Sequence, residues 1–247
     1  LLVRARARRA CGLLAEAEAD AADALSRARG SGERALLVDA LVETGKILEF
    51  RGRSDGALAQ LQEALDLANQ GGDAAREAAA AEALATASMD ARHGERPRLL
   101  FQRSLELCRA VGDRRLEGRV QANFAYWLRR REEFEAALSH YREAIAAYRQ
   151  VGDAGMEGMT IGSMAGLLMD TGRTSAALVP LDHALEIVSR AGHVRATAFF
   201  TGNRALLEHL EGRPRQALDG YVRATEGLRG IGDAFNEGVY AALLAIA

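Results

Sequence analysis

The stretch VGDRRLEGRVQANFAYWL, residues 111–128, returns forty residues later as VGDAGMEGMTIGSMAGLL, residues 151–168. The same Gly-Asp opening, followed by Glu and a helical run, occurs in GGDAAREAAAAEAL (71–84) and IGDAFNEGVYAALL (231–244). The period is strict. Gly32, Gly72, Gly112, Gly152, Gly192 and Gly232 are spaced by forty residues, which marks a tandem-repeat architecture. A second series, Gly12, Gly52, Gly172 and Gly212, marks a turn half-way through each repeat, with Arg92 and Glu132 in the other copies. Each repeat therefore reads as two helices and two turns.

The residue types at the joint explain its form. Glycine just past a helix end takes the left-handed conformation that a side chain resists, and the Asp after it caps the next helix. Asp73, Asp113, Asp153 and Asp233 are placed to do so. Glu77, Glu117, Glu157 and Glu237 fall in the first turn, where a carboxylate suits the positive end of the helix dipole. In the second helix, Leu61, Phe101, Tyr141, Leu181 and Tyr221 share one register position, with Ala64, Ser104, Ala144, Ala184 and Ala224 three residues on. That is one apolar stripe at helical spacing. In the first helix, Gly45, Ala85, Ala125, Ala165, Ala205 and Ala245 supply a small residue at a fixed position. Large residues are set against small ones along the whole chain.

This pattern resembles the tetratricopeptide family, whose helical pair carries a small residue on the first helix, a turn Gly, an Ala and an aromatic or Leu four residues later. The forty-residue period, the Gly-Asp joint and the phrase GDRRLEGRVQANFAYWL resemble its long-repeat subclass, known from polarity scaffolds and from the sensor arms of bacterial regulators. Leu41, Ala81, Gln121, Ile161 and Thr201 replace the strong aromatic of the family's first helix. The resemblance implies an all-α, right-handed superhelical solenoid of tandem helix-turn-helix repeats. Residues 1–247 are read as a single solenoid, with a partial repeat at 1–32, full repeats at 33–72, 73–112, 113–152, 153–192 and 193–232, and a partial repeat at 233–247. Both ends fall inside helical patterns, so a segment of a longer protein is expected.

Predicted helices cover 1–10, 14–30, 33–51, 54–70, 74–91, 96–110, 114–130, 134–150, 154–171, 174–190, 194–210, 214–230 and 234–247. The third copy of the mid-repeat turn is irregular: DARHGERPRLL (90–100) moves its glycine to Gly94 and places Pro97 at a helix start. The helix before it is nearly all alanine on its apolar face and is expected to be the softest.

Composition narrows the function. Hydrophobic residues make up 49% and charged residues 27%, which is ordinary for a globular chain, and every apolar run is interrupted by charge, so no membrane span is expected. A cytoplasmic location follows as the expectation. A net charge of −2 offers no global field for nucleic acid. Cys11 and Cys108 occupy non-equivalent positions without metal-ligand spacing, and none of the five histidines is three or four residues from another. Gly45-Lys46 lacks the other elements of a phosphate loop, and Ser163 in IGSMAG lies mid-helix rather than at a strand-to-helix elbow. The expectation is no enzyme, no cofactor and no metal.

What remains is the groove that, in the family, is lined by first helices. There Arg119, Arg129 and Arg130 surround Tyr126 as a positive patch, and Met159, Met169 and Phe199 form an apolar shelf. Arg119 and Asn123, four apart on one face, match the pairs that hold a peptide in long-repeat scaffolds; Asn203 repeats the amide position and His209 completes the wall. The expected partner is a protein or peptide carrying acidic residues beside Leu or Phe. The alternatives are an intramolecular arm docking on a catalytic or DNA-binding domain elsewhere, and homo-oligomerisation through the terminal repeats.

Overall fold

Asp at each Gly-Asp joint caps the following helix as its chemistry dictates. Asp73 accepts from the Arg76 amide at 3.1 Å, Asp113 from Leu116 at 2.9 Å, Asp153 from Met156 at 3.2 Å and Asp233 from Asn236 at 3.4 Å. Both glycine series have positive φ, between 65° and 77°. The molecule is represented by a computed structural model that describes residues 1–90 and 94–246. Arg92 and His93, and the predicted helix ends at Ala91 and Ala247, lie outside the described residues.

The chain is all-α, a tandem series of helical hairpins: α1 (Leu2–Ala10), α2 (Leu14–Ser31), α3 (Arg34–Phe50), α4 (Ser54–Gly71), α5 (Ala74–Ala87), α6 (Arg96–Val111), α7 (Arg114–Arg130), α8 (Phe134–Gln150), α9 (Ala154–Asp170), α10 (Thr174–Arg190), α11 (Val194–Leu210), α12 (Pro214–Gly230) and α13 (Ala234–Ile246). No strand occurs among the described residues. The boundaries follow the predicted ones closely except for α5, which stops at Ala87 rather than running to 91. At Ser88 the hydroxyl donates to the Leu84 carbonyl at 2.6 Å, a local bond that competes with continuation of the helix.

Two compact units divide the chain, residues 1–124 and 125–247, with the boundary inside α7. In the first unit each helix packs on the next, and the first helices α1, α3 and α5 also touch one another. The second unit repeats the scheme with α9, α11 and α13. Within a hairpin the large residue of the second helix seats on the small residue of the first. A Cβ on Gly45 would lie 2.7 Å from Leu61 Cδ2, so only glycine lets α3 and α4 approach this closely. Leu61, Phe101, Tyr141, Leu181 and Tyr221 are all buried.

The first-turn glutamates do more than complement a dipole. Arg109 reaches Glu117 at 3.0 Å, Arg149 reaches Glu157 at 2.7 Å and Arg229 reaches Glu237 at 2.7 Å, each pair eight residues apart across a joint. Both members are absent together in the copy with Ser189 and Thr197. The arginines are exposed, so each pair contributes about 0.5 kcal/mol.

Glu132 occupies a glycine position with φ of 62°. A side chain there opposes the left-handed backbone at about 1–2 kcal/mol, partly offset by glycine's greater freedom when unfolded. Glu132→Gly is therefore expected to raise stability by about 0.5–1 kcal/mol, measured by urea denaturation. An unchanged or lower midpoint would show that the turn is not strained.

Candidate functional site: the first-helix face

Arg119 and Asn123 meet on one carboxylate. In the first unit, Glu82 of α5 accepts from Arg119 at 3.2 Å and from Asn123 at 2.9 Å, and Lys46 of α3 donates to it at 3.1 Å. Glu82 is 2% exposed. Burial opposes its ionisation, but the fields of Lys46 and Arg119 together hold its carboxyl below the usual range. For Lys46 the balance differs: burial pushes its ammonium down, attraction to Glu82 offsets this in part, and Arg119 repels it. One anion shared between two cations gains twice, while each cation gains one attraction and meets one repulsion. Nearby, Glu49 is pushed up, by burial first and then by Glu82. A further pair continues the ladder, Arg9 of α1 to Glu43 of α3 at 2.8 Å. The Arg-Asn pair expected to hold a guest is thus engaged within the fold. Glu82 was not singled out from the sequence; its signal was an acid set among alanines, away from the first turn that Glu77 occupies.

The second unit presents the remaining expected residues. Tyr126 is 48% exposed while its neighbour Trp127 is buried, with Arg131 over the indole at 4.8 Å. Arg130 is exposed. Arg129 donates to Asp170 at 2.6 Å, and burial pushes the Tyr141 hydroxyl up to about 12. Met169 is half-buried, and His209 lies edge-on to the ring of Tyr221 with centroids 6.3 Å apart. Asn203 is taken by the fold: the Tyr240 hydroxyl donates to the Phe199 carbonyl at 2.9 Å and sits 2.7 Å from the Asn203 amide oxygen.

Met159 and Phe199 are brought together. With Ser163, Phe200 and Ala196, and with His193, Val194, Arg195 and Asn236 at the rim, they line an open pocket of about 760 Å³. Glycines in α9 let neighbouring side chains approach its backbone closely. A Cβ on Gly162 would overlap the Phe200 ring, one on Gly158 would lie 2.6 Å from Ile187 Cγ2, and one on Gly155 would lie 2.7 Å from His193 Nε2. The joint residues 192–196 were not read as site residues from the sequence. Their signal was the loss of the capping Asp, replaced by His193, whose side chain makes no capping bond.

The Ser163 hydroxyl donates to the Met159 carbonyl at 3.0 Å, as a helical serine does. Among the described residues no group of three metal-ligating side chains converges, and no helix is long and apolar enough to cross a membrane. Cys108 is buried, which pushes its thiol up to about 11, away from reactivity.

Residues 100–150 match the tetratricopeptide repeat model. The chain has the tetratricopeptide-repeat fold. Solved structures agree: a STAND (signal transduction ATPase with numerous domains) protein with a tetratricopeptide repeat sensor from Pyrococcus horikoshii is similar at 17% identity and a TM-score of 0.75, over 84% of this chain and 32% of that one. A Rap protein complexed with competence and sporulation factor is similar at 11% identity and a TM-score of 0.75, over 98% and 72%. NprR in complex with its cognate peptide NprX follows at 14% identity and 0.64, over 93% and 66%. No curated protein matches the chain in sequence.

Proposed function

We propose that this tetratricopeptide-repeat chain is a protein-interaction module that takes a peptide or partner segment on its first helices, as the sensor or scaffold part of a larger bacterial signalling or regulatory protein of the long-repeat subclass. The observation that carries the reading is the second unit's first-helix face, where Tyr126 and Arg130 are exposed and Met159 and Phe199 share an open pocket. Arginine suits planar carboxylates and methionine adapts to varied apolar shapes. The guest is accordingly a segment with acidic residues beside Leu or Phe. Support comes from similar structures solved with competence and sporulation factor and with a cognate peptide.

The internal use of Arg119 determines how to test this. Arg119→Glu would set a second carboxylate against Glu82 and confound binding with unfolding. Tyr126→Ala/Arg130→Glu changes exposed side chains only. Capture of acidic-hydrophobic peptides from a synthetic library is expected to weaken about tenfold or more in that double variant. Undiminished capture would reject the face; binding that ignores peptides and collapses with salt would point to polyanions instead.

A further inference from the structure

Resting on that reading, we infer that the pocket between α9 and α11 is an anchor subsite for one aromatic side chain followed by an acidic residue. Its volume, about 760 Å³, lies within the roughly 300–1,000 Å³ of small-ligand sites and accommodates a phenyl ring with the backbone on either side. Met159, Phe199 and Phe200 form the apolar wall. A phenyl guest gains tilted aromatic contacts of the kind Phe199 already makes with Phe200, at a centroid distance of 5.9 Å.

The rim selects the charge. Ser163 is spent on the Met159 carbonyl and the Asn236 amide on Asp233 at 2.9 Å. Arg195 is different: its side chain is 71% exposed and its ion pair to Asp233 is long at 3.4 Å. Asp233 already accepts both the backbone and the side-chain amide of Asn236. A charge-assisted bond runs to about 2.7–2.9 Å, so a guest carboxylate offers Arg195 better geometry than it has. The first turn of α11 adds its positive end, because His193 supplies no capping oxygen.

The test uses fluorescein-labelled peptides Gly-Ser-Phe-Asp-Gly-Ser, its Phe-Asn twin and its Ala-Asp twin, followed by anisotropy. With the wild-type chain, Phe-Asp is expected to bind about thirtyfold more tightly than Ala-Asp and about fivefold more tightly than Phe-Asn. Arg195→Glu, at an exposed position, removes the Asp preference. Ser163→Phe plugs the pocket and brings Phe-Asp down to the Ala-Asp level, with circular dichroism checking its fold. An Asp preference that survives Arg195→Glu, or full binding by a folded Ser163→Phe, overturns the subsite. If the peptides respond to Tyr126→Ala/Arg130→Glu but to neither pocket variant, the subsite falls and the interaction-module reading stands. If none of the three binds while the longer library does, the outcome is the same; if neither binds, both readings fall.

Discussion

Replacing Glu82 by Gln is expected to cost about 3–5 kcal/mol, because it leaves Lys46 and Arg119 facing each other without the anion between them. The amide keeps the shape, and its oxygen can still accept from Asn123, so the loss isolates the charge. In a chain of this size that is a fall of about 10 °C in the thermal midpoint. Lys46→Met/Glu82→Leu is expected to recover most of it, since a buried pair exchanged for apolar groups of similar volume is near neutral. The pH dependence has a definite sign. Glu82's carboxyl is held below its ordinary value of 4.5 in the folded chain. Its contribution is therefore complete above that value and is lost as pH falls through the lower, folded pKa. The wild type should lose stability below about pH 4.5 more steeply than Lys46→Met/Glu82→Leu. Parallel pH profiles, or a Glu82→Gln variant as stable as the wild type, would show that the hub contributes nothing.

Gly162→Ala is expected to destabilise by about 2 kcal/mol, although alanine is favoured over glycine in a helix by about 1 kcal/mol. The added Cβ overlaps the Phe200 ring, which is buried and can yield only by giving up packing and turning toward the pocket it lines. The contact predicts its own rescue. Phe200→Leu alone should cost about 1 kcal/mol, yet combined with Gly162→Ala it relieves the overlap, giving a coupling of at least about 1 kcal/mol in a double-mutant cycle. Additive costs would mean that the two residues do not interlock. Gly202 and Tyr240 repeat the arrangement one period on, since a Cβ at Gly202 would also overlap a ring. There the tyrosine is further fixed by its bond to the Phe199 carbonyl, so an equivalent rescue should be less complete.

These two sites show where sequence reading stops. The interlock of Leu61 with Gly45 repeats in register, so a sequence period reveals it. The pairing of Gly162 with Phe200 lies between repeats and varies in size from copy to copy. At the same two positions stand Val42 with Ala80, and Glu82 with Val120. A compensated volume leaves no period behind. Likewise the Arg119 and Asn123 spacing was legible, but not that Glu82 had already claimed both groups, because a partner on another helix is a tertiary fact. The split fate of Tyr126 and Trp127, one exposed and one buried, follows from a helix's 100° step and the packing around it.

Alone, the sequence determined the hairpins, their joints and most of their caps, since φ above zero favours glycine and free helical N–H groups favour an Asp oxygen, both local demands met within a few residues. Tertiary structure alone decided which charged and aromatic groups of the first helices were consumed by neighbours and which were left facing outward. Burial and pairing depend on residues about forty positions away, and the energy of a charge is set by what surrounds it rather than by what precedes it.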